Sequence, residues 1–559
     1  MRQQYEPSAD RIIALYQQLE DDILSTVIRR ILKMGYVSEA SKHQLEVLQA
    51  AGLLYDDIVQ LIADRTDACT AQVRALFEDA GVQTVAIDNS LHEAAGALPI
   101  DIRQDSSTRQ VLEAGYKKTL GTMRNLVSTT ATQTQTAFIQ TCDRIYMQVS
   151  SGAFSYQEAI MNALRALADT GATVSYPTEH TDRMDVAVRR CVLTGVSQTA
   201  AAVSLRQAED AGCYLMEITA HSGARPDHAK WQGQLVSLTG KDVGKTIDGL
   251  KVWSLSRIDY GSGEGFKGWN CRHNWHAYYP GLSTPNYTQE ELKKLDEPCI
   301  SYNGKLYTEY EVSQMQRAQE RRVRAWKRRC VTAQEGVNSS TDEATNAAAQ
   351  AEYSKSAVHL KANEEKLKDF CKQTGQNRDR FREQVYGFGR SEAQRAVQAN
   401  NSSFRNTMRQ KGIKNPPKSL AEFQKMKYNN PKEYDLMQTY SKSVDSGMIS
   451  PLVGYEKYKE YHERVEKELV GLTTSNGIEI KSQSNHFLER VFGTISDPAH
   501  EGAKRSGVEL ENIAEALKNG SVRQHKNGSY IYKSHNCEVS LNPNTGNLIQ
   551  VTPKKRSVP

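Results

Sequence analysis

A short stretch near the middle of the chain concentrates residue types that bind metals or act as nucleophiles. Residues 265–281 read GFKGWNCRHNWHAYYPG. Cys271 and His273 are separated by one residue, and His221 and His228 lie upstream of them. Zinc accepts nitrogen and sulfur ligands of this kind. The spacing differs from that of standard zinc fingers, so Cys271 and His273 are candidate metal ligands without a recognisable motif.

The same stretch has two other interpretations. A nucleophilic Cys–His pair would need a third group to orient the histidine, and the sequence supplies none at a recognisable position. Alternatively, Trp269, Trp275 and Tyr279 fill a small core while the polar side chains bond to loop carbonyls. We favour this packing interpretation. A small domain has few apolar side chains, so these aromatic residues are expected to form its core. No cofactor is predicted.

A second candidate for chemistry lies near the C-terminus, in SNHFLERVFG (residues 484–493). Helical spacing places His486, Glu489 and Arg490 on one side of a helix. RNA cleavage without metal needs a base for the 2′-hydroxyl, an acid for the leaving oxygen and a cation for the phosphorane. His500 and the basic segment 503–505 follow in the next loop. Such triplets also occur by chance on solvated helix faces.

Composition excludes several classes of protein. The chain has 559 residues, a formal charge of +5, 38% apolar residues and 25% charged residues. No apolar run approaches the roughly 18–20 residues that span a bilayer, so no membrane span is predicted. The N-terminus does not read as a signal peptide. The nine cysteines form no CxxC pair, which indicates free thiols in a reducing compartment.

The pattern along the chain predicts a multidomain protein whose N-terminal and middle regions are mainly α-helical. An apolar stripe from Ile12 to Ile31 and a second one through Leu45, Leu48 and Leu53 indicate long helices. The predicted regions are a helical N-terminal region (1–212), a small α+β module (213–285), a charged helical region (286–400), a polar linker with one helix (401–473) and an α+β domain with an antiparallel sheet (474–555).

The charged helical region contains a strongly basic segment, QRAQERRVRAWKRRC (residues 316–330). It predicts a solvated face or a contact for an acidic partner. Nucleic-acid binding is less favoured because no base-reading fold surrounds the segment.

The last region predicts two helices followed by a small sheet. Ser484 is a plausible N-cap, and the second helix ends at Gly520. Asn527-Gly528 is a strong hairpin signal between the strands. His525, Lys533 and Thr552 are expected on or beside the sheet that would face a substrate.

Two stretches, HSGARPDHAKWQGQ and GSGEGFKGWNCRHNWHAYYPG, resemble the signature of MuF-type head-morphogenesis proteins, a family of phage minor capsid proteins. The pattern there is a His-Trp-Gly stretch, a Gly-rich loop, Asn-Cys-Arg-His and Pro-Gly. The matching residues are His228, Trp231, Gly233, Gly263, Gly268, Asn270, Cys271, Arg272, His273, Pro280 and Gly281. The flanks, with YNGKLYTEYEVSQMQR and GFGRSEA, look like the phage minor capsid protein 2 group over about residues 1–400.

This resemblance implies a structural role in the virion. Such proteins lie inside the procapsid near the portal, help the head to assemble in the bacterial cytoplasm and can be ejected with the DNA. Portal and capsid proteins are the implied partners. The central stretch would then be a folding motif rather than an active site.

The C-terminal region resembles the toxin-type RNases of the barnase–EndoU–colicin–RelE fold, and most closely the polymorphic toxin type 50 branch. The matching stretches, SNHFLERVFG, AKRSGVELENIAEALKNG and NPNTGNLIQVTP, cover about the last 80 residues. The resemblance implies that His486 and Glu489 are acid/base candidates, that Arg490 contacts phosphate and that His500 is a second acid/base. RNA is the implied substrate and an immunity protein a further partner.

Two hypotheses follow. In the first, a structural virion protein carries an RNase effector at its C-terminus. In the second, the protein is purely structural and its last domain is inactive or only binds. The placement of His486, Glu489, Arg490 and His500 on one concave face of the sheet would favour the first.

Overall fold

A computed structural model describes residues 2–102, 104–494 and 505–554. The chain divides into two compact units, which we call unit 1 (Met1–Val397) and unit 2 (Gln398–Pro559). The described residues are mostly helical, with small antiparallel and mixed sheets, so the mainly α prediction is confirmed. The finer domain boundaries stay predictions.

Unit 1 is built around long helices. They are α1 (Arg2–Met34), α2 (Ala40–Ala94), α3 (Ser106–Ser150), α4 (Tyr156–Thr170), α5 (Met184–Asp210), α6 (Pro226–Ala229), α7 (Gln289–Leu295), α8 (Glu309–Ser339) and α9 (Glu343–Thr374). Helix α10 (Arg390–Gln410) contains the division between the units. Capping boxes begin α4, α7 and α8, where a Ser or Thr side chain and a Glu three residues on satisfy the first backbone N–H groups.

The predicted apolar stripe of α1 is buried, with Ile12 and Ile23 fully hidden. The predicted stripe of α2 is wrong, because Leu45, Leu48 and Leu53 are 58–62% exposed. The buried residues of that helix are instead Val47, Ala51, Leu54 and Ile58. The exposed and the buried residues both recur at a helical period. Which of the two sets is buried therefore depends on tertiary packing.

The strands of unit 1 are short. They are β1 (Thr173–Ser175), β2 (Thr181–Arg183), β3 (Leu215–Ile218), β4 (Leu235–Ser237), β5 (Thr246–Ile247), β6 (Leu250–Ser254), β7 (Trp275–Ala277), β8 (Ile300–Tyr302) and β9 (Lys305–Tyr307). A mixed sheet has the order β5-β6-β4-β3-β7, in which β3 runs antiparallel to β4 and β7, and β4 runs parallel to β6. All four residues of β3 are buried, as expected for a central strand.

The basic segment of α8 is not simply a solvated face. Arg328 is 2% exposed and lies 3.4 Å from Glu20 of α1. Arg324 pairs with Asp185 of α5 and with Glu20, and Arg329 pairs with Asp169 at 2.6 Å. These arginines stabilise the contact between helices distant in sequence.

Unit 2 contains α11 (Leu420–Asn429), α12 (Pro431–Asp445), α13 (Tyr455–Glu468), α14 (Asn485–Phe492) and α15 (Leu510–Asn519). Its strands are β10 (Ser482–Gln483), β11 (Gly493–Thr494), β12 (Arg505–Ser506), β13 (Ser521–Gln524), β14 (Tyr530–Lys533), β15 (Cys537–Asn542) and β16 (Asn547–Pro553). The main sheet has the order β10-β16-β15-β14-β13. It is antiparallel from β13 to β16, but β10 pairs in parallel with β16, so the predicted antiparallel sheet is in fact mixed.

The segment predicted as a polar linker, residues 401–473, is folded. Tyr440, Tyr455 and Tyr458 of α12 and α13 are at most 2% exposed. They share one hydrophobic cluster with Phe487 of α14 and Val539 of β15. The polar composition hides this core because a few tyrosines supply most of its apolar surface.

Candidate functional sites

The central cluster of unit 1 is assembled from α6 and from the loop that enters β7. Helix α6 carries His228, and the loop carries Cys271 and His273, which are held beside it where β7 pairs with β3. One nitrogen or sulfur atom from each of these three residues lies within 4.8 Å of the others. His221 is adjacent, with its ring centroid 4.5 Å from that of His273.

Two glycines make the loop compact enough to hold this cluster. A Cβ on Gly265 would lie 2.0 Å from the carbonyl oxygen of Asp259, and one on Gly268 would lie 2.4 Å from that of Gly263. No side chain fits at such distances, so close backbone approach explains the need for glycine at Gly265 and at Gly268, which belongs to the signature.

The aromatic residues of the stretch divide between core and surface. Trp275 is 1% exposed and packs with Phe266 and Trp231 in a hydrophobic cluster. Trp269, which was predicted to fill the core, is 51% exposed. Tyr279 is partly buried and its hydroxyl lies 2.8 Å from Nδ1 of His92. The packing interpretation is therefore right for Trp275 and wrong for Trp269.

The distances within the cluster also test whether Cys271 and His273 form a nucleophilic pair. The sulfur of Cys271 lies 3.6 Å from Nδ1 of His273, and Nε2 of His273 lies 3.3 Å from the side-chain oxygen of Gln232. Gln232 is an orienting group that sequence reasoning missed, because it comes from a different loop. Burial raises the pKa of the Cys271 thiol and lowers the pKa of His273 to about 2. Both shifts oppose a thiolate–imidazolium pair, so the cluster is not set up for nucleophilic attack.

His276 lies outside this cluster. Its Nε2 faces Glu217, which is fully buried, and the side-chain amide of Asn286. Glu217 also accepts hydrogen bonds from Asn286. This arrangement ties the segment after β7 to strand β3.

The candidate site of unit 2 lies on α14, which Ser484 caps as predicted by accepting from the N–H of Phe487. Nδ1 of His486 lies 3.4 Å from Glu489, and Nε of Arg490 donates to Nε2 of His486 at 3.4 Å. Three of the four predicted site residues are thus brought together. His500, the fourth, lies outside the described residues.

These three side chains differ in their access to solvent. The His486 side chain is 42% exposed, whereas that of Glu489 is 14% exposed and Arg490 is buried. Glu489 accepts a hydrogen bond from Ser443 of α12 at 2.5 Å. Burial alone would raise the pKa of Glu489, but the hydrogen bonds from His486 and Ser443 outweigh it and lower the pKa. The carboxylate is therefore held charged against the exposed imidazole.

The sheet of unit 2 has an apolar face and a polar face. Phe487 of α14 packs with Tyr532, Val539 and Val551 on the apolar face. The strand register places Ser521, Lys533, Glu538 and Thr552 in one row on the other face. Lys533 and Thr552 thus lie on the polar face, whereas α14 and its His486 cluster lie on the opposite side of the sheet. His525 is in the β13–β14 turn, where it contacts Asn527.

Comparison with known proteins places unit 1 in a family. The family described as phage minor capsid protein 2 matches residues 2–372. The chain belongs to this family and is a phage structural protein. A relative described as a structural protein of Lactococcus phage LL-H is 22% identical over 333 residues, which cover 57% of this chain and 86% of the relative. No solved structure matches the chain.

Residues 373–559 lie outside the family match, so the nature of unit 2 rests on its own geometry. Among the helices of the described ranges, none combines the length and the apolar character needed to cross a membrane.

Proposed function

We propose that this protein is a virion component near the portal, placed in the head during assembly in the bacterial cytoplasm. The family match over unit 1 carries this proposal. Portal or capsid proteins are its partners. The experiment is immunodetection of the chain in purified phage heads, followed by cross-linking to identify its neighbours. Absence from mature heads and procapsids would contradict the proposal.

The exposed apolar side chains of α2 support a docking role in unit 1. Leu45, Leu48 and Val59 are 43–62% exposed on this 55-residue helix, and Tyr55 is 36% exposed. Their spacing of three, seven and four residues forms one stripe. Exposed apolar patches of this kind mark protein interaction surfaces. Leu48→Glu should abolish incorporation into heads without unfolding the chain, whereas Lys42→Glu on the same helix should have little effect.

Unit 2, we propose further, is an RNase in which His486 is the acid/base group. The observation that supports this is the exposed imidazole held between a charged carboxylate and a guanidinium. Glu489 orients the ring through Nδ1, as a carboxylate orients a catalytic histidine. Arg490 supplies positive charge next to the ring for a phosphate, and His500 is the proposed second acid/base.

The test is RNA cleavage by the purified full-length chain in the presence of EDTA. His486→Ala should lower the rate at least about ten-fold. His462→Ala, on α13 of the same unit, is the matched control and should retain the wild-type rate. A metal-dependent activity, or no cleavage of any RNA, would contradict the assignment. An immunity protein, if one accompanies this toxin, should bind unit 2 and block cleavage.

A purely structural unit 2 is the second candidate, and two observations favour it. Arg490 is 6% exposed, and Glu489 is tied to Ser443 of the neighbouring helix. In that case the cluster fixes α14 against α12. Glu489→Gln would then lower the melting temperature of unit 2, and neither it nor His486→Ala would affect any activity on RNA.

A further inference from the structure

We propose that His228, Cys271 and His273, together with His221, form a zinc-binding site in unit 1. The donor atoms of the first three residues lie within 4.8 Å of one another. One thiolate and neutral imidazoles are the ligands that zinc prefers. The site goes beyond the family's structural role and does not depend on any activity of unit 2.

One pair of donors, Cys271 and His273, has the separation that a shared ion requires. Zinc holds nitrogen and sulfur at roughly 2.0–2.3 Å in a tetrahedron, so neighbouring ligands lie about 3.3–3.8 Å apart. The sulfur of Cys271 and Nδ1 of His273 are 3.6 Å apart. The donors of His228, Cys271 and His273 all lie within 4.8 Å of one another, so the other separations would shorten by up to about 1 Å on binding.

Each histidine of the cluster has a ring nitrogen next to a carbonyl oxygen. Nε2 of His228 lies 2.8 Å from the backbone oxygen of Glu264, and Nδ1 of His221 lies 2.8 Å from that of Ser222. Nε2 of His273 lies 3.3 Å from the amide oxygen of Gln232. Metal-ligating histidines almost always donate their second ring N–H to such an oxygen, which fixes the tautomer and orients the ligand nitrogen.

Two cationic side chains lie beside the cluster. Lys267 is 3% exposed, and its ammonium group donates to the side-chain oxygen of Asn274 at 2.7 Å. Arg225 also lies next to His228 and donates to the oxygen of Glu264. Binding of zinc to Cys271 would displace the thiol proton, so the region would gain one positive charge rather than two.

An ion here would join two segments that are far apart in sequence. It would link helix α6 to the loop entering β7, in a module whose sheet consists of strands of two to five residues. A cavity of about 200 Å³, lined in part by His221, His228 and His273, adjoins the cluster and provides a path for the ion. Small domains with little core often depend on such a metal for stability.

The first experiment measures metal in the full-length chain purified from zinc-supplemented growth. We expect about one zinc per chain by mass spectrometry of the dissolved metal. Cys271→Ser and His228→Ala should lower this content at least about ten-fold. Cys299→Ser, which removes an exposed cysteine elsewhere in unit 1, should leave the content unchanged. His221→Ala tests the fourth ligand and should weaken retention against a chelator.

The second experiment does not depend on the folding of any variant. Wild-type chain reconstituted with Co²⁺ should show a thiolate-to-cobalt charge-transfer band and the intense visible bands of tetrahedral cobalt. A folded wild-type chain that contains no zinc and gives no such spectrum would overturn the proposal. Zinc that is retained equally by Cys271→Ser would also overturn it, because the ion would then be bound elsewhere.

Discussion

The two histidine clusters of this chain differ chiefly in their exposure. In unit 1, His228 and His273 are 3% and 2% exposed and are enclosed by aromatic rings and loop carbonyls. In unit 2, the ring of His486 is 42% exposed while its carboxylate partner is mostly hidden. An enclosed cluster can bind an ion or fix a fold, whereas a substrate as large as RNA can reach only the exposed one. Similar residue types therefore differ in what they can contact, according to what packs around them.

The same contrast applies to charged residues. Unit 1 buries arginines of α8 against acids of α1 and α5. Unit 2 leaves Lys533 exposed on the polar face of its sheet, next to Glu538. The buried ion pairs of α8 contribute to the stability of unit 1, whereas Lys533 on the sheet of unit 2 is accessible to a ligand.

The largest effect should come from removing a buried charge in unit 1. Arg328→Ala leaves Glu20 without one of its two partners, so we expect the free energy of unfolding to fall by about 3–5 kcal/mol. Chemical denaturation of the full-length chain measures it. Arg321→Ala, on the exposed side of the same helix, should change stability by less than about 0.5 kcal/mol. Equal effects of both substitutions would show that the buried pairs do not support unit 1.

A smaller, pH-dependent effect is expected at Asp88 of α2. Burial raises the pKa of Asp88 to about 6. The hydrogen bond from Ser204 lowers this pKa but does not outweigh the effect of burial. Because the folded-state pKa lies above the unfolded value, this carboxyl contributes stability at low pH that is lost as the pH rises from about 4 to about 6. Asp88→Asn should match the wild type near pH 4 and be more stable by roughly 2–3 kcal/mol at pH 8.

The control for this prediction is Asp64→Asn, at an exposed position of the same helix. Its stability relative to the wild type should not change with pH over this range. Thermal unfolding at a series of pH values gives both curves. A constant difference between wild type and Asp88→Asn would show that Asp88 titrates normally.

The smallest effect is expected in unit 2, at Ser443. Ser443→Ala removes the hydroxyl that donates to Glu489, which should lower the stability of unit 2 by about 1–2 kcal/mol. If Glu489 orients His486, the rate of RNA cleavage should also fall, by less than in His486→Ala. Ser446→Ala, nearby and exposed, is the control. Lower stability with an unchanged rate would assign Glu489 to packing alone.

Much of the local structure could be predicted from the sequence. The predicted strands in residues 521–553 appear as β13 to β16, because alternation and turn residues act over a few positions. Gly520 ends α15 as predicted, but for a different reason. Its φ is −71°, and a Cβ there would lie 2.3 Å from the carbonyl oxygen of Ala516. Glycine is needed here because of steric crowding, and not because the backbone is left-handed.

What could not be predicted depends on contacts between distant segments. The pairing of Arg328 with Glu20 joins residues 308 positions apart, so the basic segment looked solvated. The exposure of Trp269 and the parallel pairing of β10 also depend on contacts between segments distant in sequence. At the candidate sites, helical spacing predicted the contacts of His486 with Glu489 and Arg490. Nothing in the spacing indicated that α14 would lie on the opposite side of the sheet from Lys533.

The most direct test of this account is RNA cleavage by the full-length chain in EDTA, measured together with the melting of unit 2. We predict cleavage by the wild type and by His462→Ala, and a loss of at least about ten-fold in His486→Ala with unchanged melting. Two results would contradict the proposal that the exposed cluster of unit 2 is reactive. One is no cleavage by the wild type, and the other is a loss of cleavage in His486→Ala that merely accompanies unfolding. Unit 2 would then be structural, like unit 1.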